Sequence, residues 1–482
     1  MTCHADARDV YSGPEQHKEV DELDSTRTSL RLDHRPEKHH GLMLTLAMLT
    51  TITGIVSSLG APLIPAIADR YEVELTDAQW ALTSTLLVAA ATTPVVGRLG
   101  AGTLRRPTIL AGLVMVSLGT VLSAVAPNFT VLVIGRALQG VGIALTPLAL
   151  AVARDVLRGR RVSSTIALLS VCSVAGAGLG YPVTGIIAQA AGLSAAYWTG
   201  AVLCLATFVL AVPLIPASPT TARIPVDWAG AVILAIGSSA ALLAISQGES
   251  WGWASIRTVG LGILGVAGVL IWCAWTLRRH YPLVDLRLAI QPGVAAPNLV
   301  AVGAGVGMYT LLPLSIVLVQ SSDPTWGLDQ SISVAGLLIL PYSVTSIAGS
   351  RVALAIGARA GFGLVLPLGV AALTCSTLGL AFCHSSLVWV VAWMTVAGLG
   401  GGLTFSSLPV LIVPHVPAHE TGSALAFNLV LRYLGFSAGS AVGVTLMSVY
   451  GGGEHGFVWT LITISVVLAV VGVCTSLLSL RR

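Results

Sequence analysis

The sequence predicts an all-α polytopic membrane protein with fourteen membrane-spanning helices. Its 482 residues are 55% hydrophobic and only 10% charged, whereas a soluble globular chain carries about 25% charge. Apolar stretches recur along the chain at the length of about 20 residues that a helix needs to cross hydrocarbon. The few Lys and Arg residues cluster in alternate connections, as membrane topology demands.

Positions 1–41 are polar and charged and lack the apolar region of a secretory signal peptide. They are expected to form a disordered tail on the cytoplasmic side. His4, His17, His34, His39 and His40 are scattered through polar sequence there, a pattern of solvation rather than of a metal site. The first two spans, 42–67 and 77–97, flank an acidic connection with Asp69, Glu72, Glu74 and Asp77. The next two, 107–127 and 130–153, follow a basic connection. Positions 162–222 contain no Asp, Glu, Lys or Arg over 61 residues, too long for one helix and right for two. A break near Gly192 divides them into 163–190 and 195–215. Spans seven and eight fall at 228–247 and 257–277, nine and ten at 294–319 and 333–355. The apolar stretch 360–418 divides around Cys383 to Ser386 into 361–383 and 386–413, and the last pair lies at 422–449 and 456–479.

With the tail inside, 21 of the 25 Lys and Arg residues fall on the cytoplasmic side, which places both termini there. Arg70 and Arg257 fall outside, and Arg136 and Arg432 fall within spans. Trp80, Trp198, Trp251, Trp253 and Trp326 lie near span ends, the place of an interfacial belt; a substrate-stacking role for Trp80 is the other reading. The seven Cys residues suggest neither a disulfide framework nor zinc ligation, since all but Cys3 sit in apolar runs. Gly176 and Gly180 in the fifth span, and Gly435, Gly439 and Gly443 in the thirteenth, have the four-residue spacing of close helix crossings. If spans seven and eight are an insertion between two six-helix bundles, these two spans become equivalent, as in a duplicated transporter.

The segment GRLGAGTLRRP, Gly97 to Pro107, resembles the loop signature of the major facilitator superfamily, and specifically its fourteen-helix drug/proton antiporter family. Gly97, Leu99, Arg105 and Arg106 match; Ala101 and Leu104 stand where that family usually has Asp and Gly. The fourth span reads LVIGRALQGVGIA and matches in Arg136, Gln139, Gly140 and Gly142. GAGLGYPVTG, with Gly176, Gly180, Pro182 and Gly185, resembles the antiporter motif of the fifth helix, although Tyr181 interrupts the usual Gly-Pro pair. DWAG from Asp227, SQGESWGW from Ser246, AGLLILP from Ala335 and HETGSALAFNLVLRYLG from His419 extend the resemblance along nearly the whole chain after position 41.

The resemblance implies the major facilitator fold, with six-helix bundles at 42–216 and 291–482 and a linker at 217–290 carrying two extra, peripheral helices. It also implies a monomeric exporter of a drug, antibiotic or metabolite in the cell membrane, driven by the proton gradient through alternating access and needing no cofactor or metal. An importer or facilitator of the same fold is the alternative. Arg136 then has two readings: a role in proton coupling, or a structural Arg held by carbonyls and Gln139. Pro182 removes an N–H and frees a carbonyl, which suits a conformational rather than a ligand-binding motif.

A proton-coupled exporter ordinarily uses a buried carboxylate, yet none of the 21 Asp and Glu residues falls in the middle of a span. The nearest are the boundary residues Asp69, Asp77, Asp155, Asp227 and Glu420. Arg136 is expected to pair with Asp69 or Asp77 when the protein faces inward; solvation of those acids is the competing reading. The missing acid weakens a cationic-drug reading and leaves neutral or anionic compounds at least as suitable. Candidate cavity residues are Thr50, Thr53, Gln139, Asn298, Tyr309, Asn428 and Arg432, with helix-to-helix hydrogen bonding as their plainer role. Arg432 either attracts an anion or pairs with carbonyls.

Other classes fit less well. No GxxxxGK[ST] segment serves an ATP-driven pump, and HETGS at His419 lacks the second His of a zinc protease. No clustered basic face addresses nucleic acid. A channel or receptor fits the Gly- and Pro-rich, duplicated helices less well than alternating access does.

Overall fold

The computed structural model describes residues 36–59, 63–157, 160–218 and 225–480, and the described part of the chain is built of helices. The membrane-crossing elements are α1 Pro36–Ser58, α2 Trp80–Leu99, α3 Arg105–Ala124, α4 Phe129–Val156, α5 Arg160–Ala191, α6 Leu193–Leu214 and α7 Trp228–Trp251. They continue as α8 Ile256–Leu277, α9 Pro292–Gln320, α10 Ile339–Ala360, α11 Phe362–Phe382, α12 Leu387–Ile412, α13 Thr421–Val449 and α14 Gly453–Leu480. Thirteen helices among the described residues are long and apolar enough to cross a membrane; α1 carries a shorter apolar stretch, His40–Val56. In hydrocarbon every backbone donor and acceptor must be satisfied internally, which helices accomplish. Hydroxyl side chains inside the spans follow the same rule, as when Thr50 Oγ1 donates to the Leu46 carbonyl at 3.1 Å.

Most of the tail, positions 1–35, lies outside the described residues, and α1 starts at Pro36, ahead of the expected 42. The expected first span 42–67 is two helices, α1 and a short Ile64–Tyr71, because Gly60 and Pro62 interrupt the apolar run and Pro65 suits only a helix start. Two further breaks have one cause. A Pro ring clashes with the carbonyl four residues earlier. The fourth span turns at Ala144, three residues before Pro147, and the tenth divides at Leu338, three before Pro341, into Ile332–Leu337 and α10.

Helices α2, α4, α5, α10, α12 and α13 share one orientation rule: each has one end among Arg98, Asp155, Arg160, Arg359, His415 and Glu420, and the other at or beside Asp77, Asn128, Ala191, Ile339, Ser386 or Tyr450. These ends are called the basic end and the acidic end below. The buried members of one apolar cluster come from residues 300–471, with Val174 of α5 packed against them, and another draws only on residues 52–204. A third spans the halves, joining Leu42, Leu145, Leu148 and Ile166 to Val294, Val410, Ile412 and Leu425. Its members sit toward the basic end, so the two groups of helices share a core there.

The extra helices are not both peripheral. Gly237 and Gly268 bring α7 and α8 into backbone contact, a Cβ on Gly237 standing 2.9 Å from the Gly268 carbonyl carbon. While α8 turns Ile263, Val266, Leu270 and Ile271 outward, α7 lies across the seam between α2 and α13. Trp272 and Leu234 pack there with Val95 of α2 and Phe427 of α13.

Candidate functional site

Arg136 sits in α4, whose start is fixed by Asn128 accepting the Val131 N–H at 3.0 Å. It is fully buried. Its Nε donates to the Ala81 carbonyl of α2 at 2.9 Å, and its Nη1 to the Val56 carbonyl of α1 at 3.3 Å and to Gln139 Oε1 at 2.5 Å. Gln139 Nε2 donates on to Ser123 Oγ at 3.0 Å and the Gly119 carbonyl at 3.3 Å in α3. The guanidinium thus joins α4 to α1 and α2, and Gln139 extends the network to α3, an arrangement in which carbonyl dipoles face the charge. Asp69 and Asp77 lie exposed at the acidic end.

At the basic end the loop signature becomes a set of contacts between the halves. A Cβ on Gly97 would stand 2.7 Å from Ala426 Cβ and 3.0 Å from the Gly422 carbonyl oxygen, so α2 and α13 meet at backbone distance. Beside this crossing Arg98 pairs with Glu420 at 2.5 Å, and the Arg98 side chain is only 2% exposed. Ser423 Oγ holds the other oxygen of Glu420 at 2.6 Å. Arg154 at the end of α4 donates to the Val416 carbonyl at 2.9 Å, to the Pro417 carbonyl at 3.4 Å and to the Thr421 hydroxyl. Arg105 donates to the Gly100 carbonyl at 2.7 Å and pairs with Asp155, while Arg106 reaches the Val212 carbonyl of α6 at 2.7 Å. Leu99 is half-buried beside them. Asp155 therefore serves the network that the loop itself, with Ala101, cannot supply with an acid. Asp227 does different work: it caps α7 by accepting the Gly230 N–H at 3.0 Å and accepts the Trp275 indole N–H at 3.0 Å.

In α5, a Cβ on Gly176 would lie 2.2 Å from the Thr51 carbonyl oxygen, which fixes the crossing with α1. The helix runs unbroken through Gly180, Pro182 and Gly185. Pro182 has no N–H for the carbonyl four residues back, that of Gly178, and this carbonyl accepts Ser343 Oγ of α10 at 2.9 Å. The motif thus joins the halves on the acidic side of the midplane. In α13, Gly435 and Gly439 likewise face the carbonyls of Val302 and Val306 in α9, at 2.5 and 2.3 Å from a built Cβ.

Two cavities lie between the halves. A small one of about 40 Å³ is enclosed by α4, α5, α12 and α13 and is lined by Thr146, Ser170, Ser173, Phe405, Asn428 and Arg432 among others. A larger one of about 330 Å³ lies toward the acidic end, between α2 and α7 on one side and α9 and α13 on the other. Tyr309, Tyr433 and Phe436 line it, with Tyr309 stacked on Phe436 at 4.2 Å. Neither lining contains Asp or Glu. Tyr309, Asn428 and Arg432 thus face a cavity, whereas Thr50 and Gln139 are buried in helix contacts. Thr53 bonds Thr146 across α1 and α4 at 2.7 Å, and Asn298 bonds Asn428 across α9 and α13 at 3.0 Å. The sequence reading did not select Arg98, Arg154, Phe405 or Phe436, whose partners are far away in sequence; the Arg98–Glu420 pair spans 322 positions.

Helices meet one another at the basic end, and the larger cavity lies between two halves toward the other. The chain belongs to the Major Facilitator Superfamily, whose family model matches residues 46–435. An uncharacterised MFS-type transporter of Mycobacterium tuberculosis is 27% identical over 416 residues, 83% of this chain, and the chain spans 58% of that relative's length. The tetracenomycin C resistance and export protein of Streptomyces glaucescens is 25% identical over 84% of this chain and 75% of its own. Among solved structures, the human organic anion transporter MFSD10 superposes with a TM-score of 0.63 over 92% of this chain and 100% of that one. At 14% identity this likeness concerns the fold alone. The chain is therefore a multi-pass membrane protein of this transporter superfamily.

Proposed function

We propose that this transporter exports small molecules across the cell membrane by alternating access, with protons moving the other way. The observation that carries the reading is the latch at the basic end: Arg98 on Glu420, Arg154 on the residues 416–421, and Gly97 against Gly422 shut that end while the larger cavity remains toward the other. A state closed on one side with space on the other is half of an alternating-access cycle. The basic end faces the cytoplasm in this reading, because Lys and Arg are retained there, and both termini lie on that side. The bundles at 42–216 and 291–482 rock as monomeric units about the midplane cavity, linked by 217–290.

Export rather than import is supported by the Gly176–Gly185 motif and by a relative named for resistance and export. Proton exchange is carried over from the resemblance. Asp155 and Asp227 are at the basic end, where the cycle would expose them, and Arg136 pairs with Asp69 or Asp77 only if the opposite state draws them inward. Purified protein in liposomes with an imposed pH gradient tests the reading, using labelled antibiotics and dyes. Uphill movement that collapses with a protonophore supports it; flux indifferent to the gradient replaces antiport by facilitation, and a folded protein that moves none of them defeats the export reading.

A further inference from the structure

Arg432 lies 11 residues beyond Thr421 along α13, about 17 Å from the basic end of that helix. Its guanidinium stands 5.4 Å from the Phe405 ring and 5.9 Å from the Tyr433 ring. Its Nε is buried with no hydrogen-bond acceptor. The ion pairs formed among the described residues involve Arg98, Arg105, His384 and His419, and none of them includes Arg432. A cation at this depth is ordinarily matched by an acid or by carbonyls. Here its surroundings are ring faces, and the linings of both cavities are free of carboxylates. Phe436 sits between the cavities, stacked on Tyr309 and edge-on to Phe405 and Tyr433 at 5.9 and 5.7 Å.

Resting on the export reading above, we propose that this site takes monoanionic aromatic compounds, with the acid group on Arg432 and the ring system among Phe405, Tyr433, Phe436 and Tyr309. The anion supplies the acceptor that the protein omits, and the low dielectric that makes an unpaired guanidinium costly strengthens the pair. A cation in the same place meets like charge and no acid. The assignment also alters the energetics of export. A monoanion leaving a cell that is negative inside moves down the electrical gradient, and a potential of about 100 mV on one charge sustains a roughly fifty-fold concentration ratio. The substrate's own charge then couples transport to the membrane potential, with no titrating carboxylate in the span.

Three probes sharing one ring test this: 1-naphthalenesulfonate, neutral 1-naphthamide and a naphthyl-trimethylammonium salt, each titrated into the purified full-length protein at one pH. Arg432→Gln should weaken the sulfonate by about tenfold or more, the loss of a hydrogen bond to a charged group, and leave the amide unchanged. Arg432→Lys should recover part of it, and both variants are first shown to melt like the parent. Equal binding of the three probes, sulfonate binding untouched by Arg432→Gln, or no sulfonate binding by folded protein overturns the proposal. In liposomes without a pH gradient, a potassium-diffusion potential of either sign should reverse the direction of sulfonate accumulation. If the sulfonate binds but is not moved, the site stands and the export reading falls; if the sulfonate is neither bound nor moved while a neutral or cationic compound is exported, the export reading stands and this one falls.

Discussion

Arg136 of α4 and Arg432 of α13 both lie deep within their helices, and they have different surroundings. Arg136 is fully buried and donates through Nε and Nη1 to carbonyls of two other helices and to Gln139. Arg432 borders a cavity, touches two aromatic rings, and retains a buried Nε without an acceptor. The first guanidinium is held on backbone carbonyls of neighbouring helices, and the second faces a cavity.

The largest effect expected from that contrast is on stability. Arg136→Ala leaves the Val56 and Ala81 carbonyls and Gln139 without their donor and should cost about 2–4 kcal/mol, read as a lower melting temperature in detergent. Arg432→Ala should change the same melt by less than about 1 kcal/mol; equal losses would erase the distinction between the two residues. Next in size, Glu420→Gln converts Arg98 into a buried cation without its acid. This should favour the state open at the basic end by about 2 kcal/mol. A cysteine at Ser170, in a background without native thiols, should then react severalfold faster with a maleimide supplied from that end. Ser343→Ala, which removes the donor from the carbonyl that Pro182 leaves open, should loosen the opposite side of the interface by about 1 kcal/mol. Cysteine labelling from the acidic end measures it. The smallest effect falls on Asp227→Asn, which keeps a capping side chain on α7 and should shift the melt by about 0.5 kcal/mol or less.

Much of the fold was legible because hydrocarbon imposes a length. Runs of uncharged residues marked twelve of the helices to within four positions, the first and tenth being displaced by more, and Gly176, Gly435 and Gly439 marked real backbone crossings. The breaks at Ala144 and Leu338 were readable in principle from Pro147 and Pro341, but hydropathy averages over a single kink. The place of α7 was not readable, since an apolar helix facing lipid and one facing another helix have the same composition. The site was legible in part. Arg432, Asn428 and Tyr309 stood out as polar groups in apolar spans, and they border the cavities. Phe405 and Phe436 did not, because aromatic residues are unremarkable in such sequence. The latch partners lie 322 and 267 positions apart, and no local pattern links them.

The position of α7 across the α2–α13 seam changes what a departing compound meets. On that flank of the larger cavity the wall is Leu242, Ile245 and Ser246, so acyl chains do not reach the compound from there. If the proposed export runs through this cavity, a compound leaving along this flank would meet protein rather than a leaflet, and would not need to be oily to complete the journey.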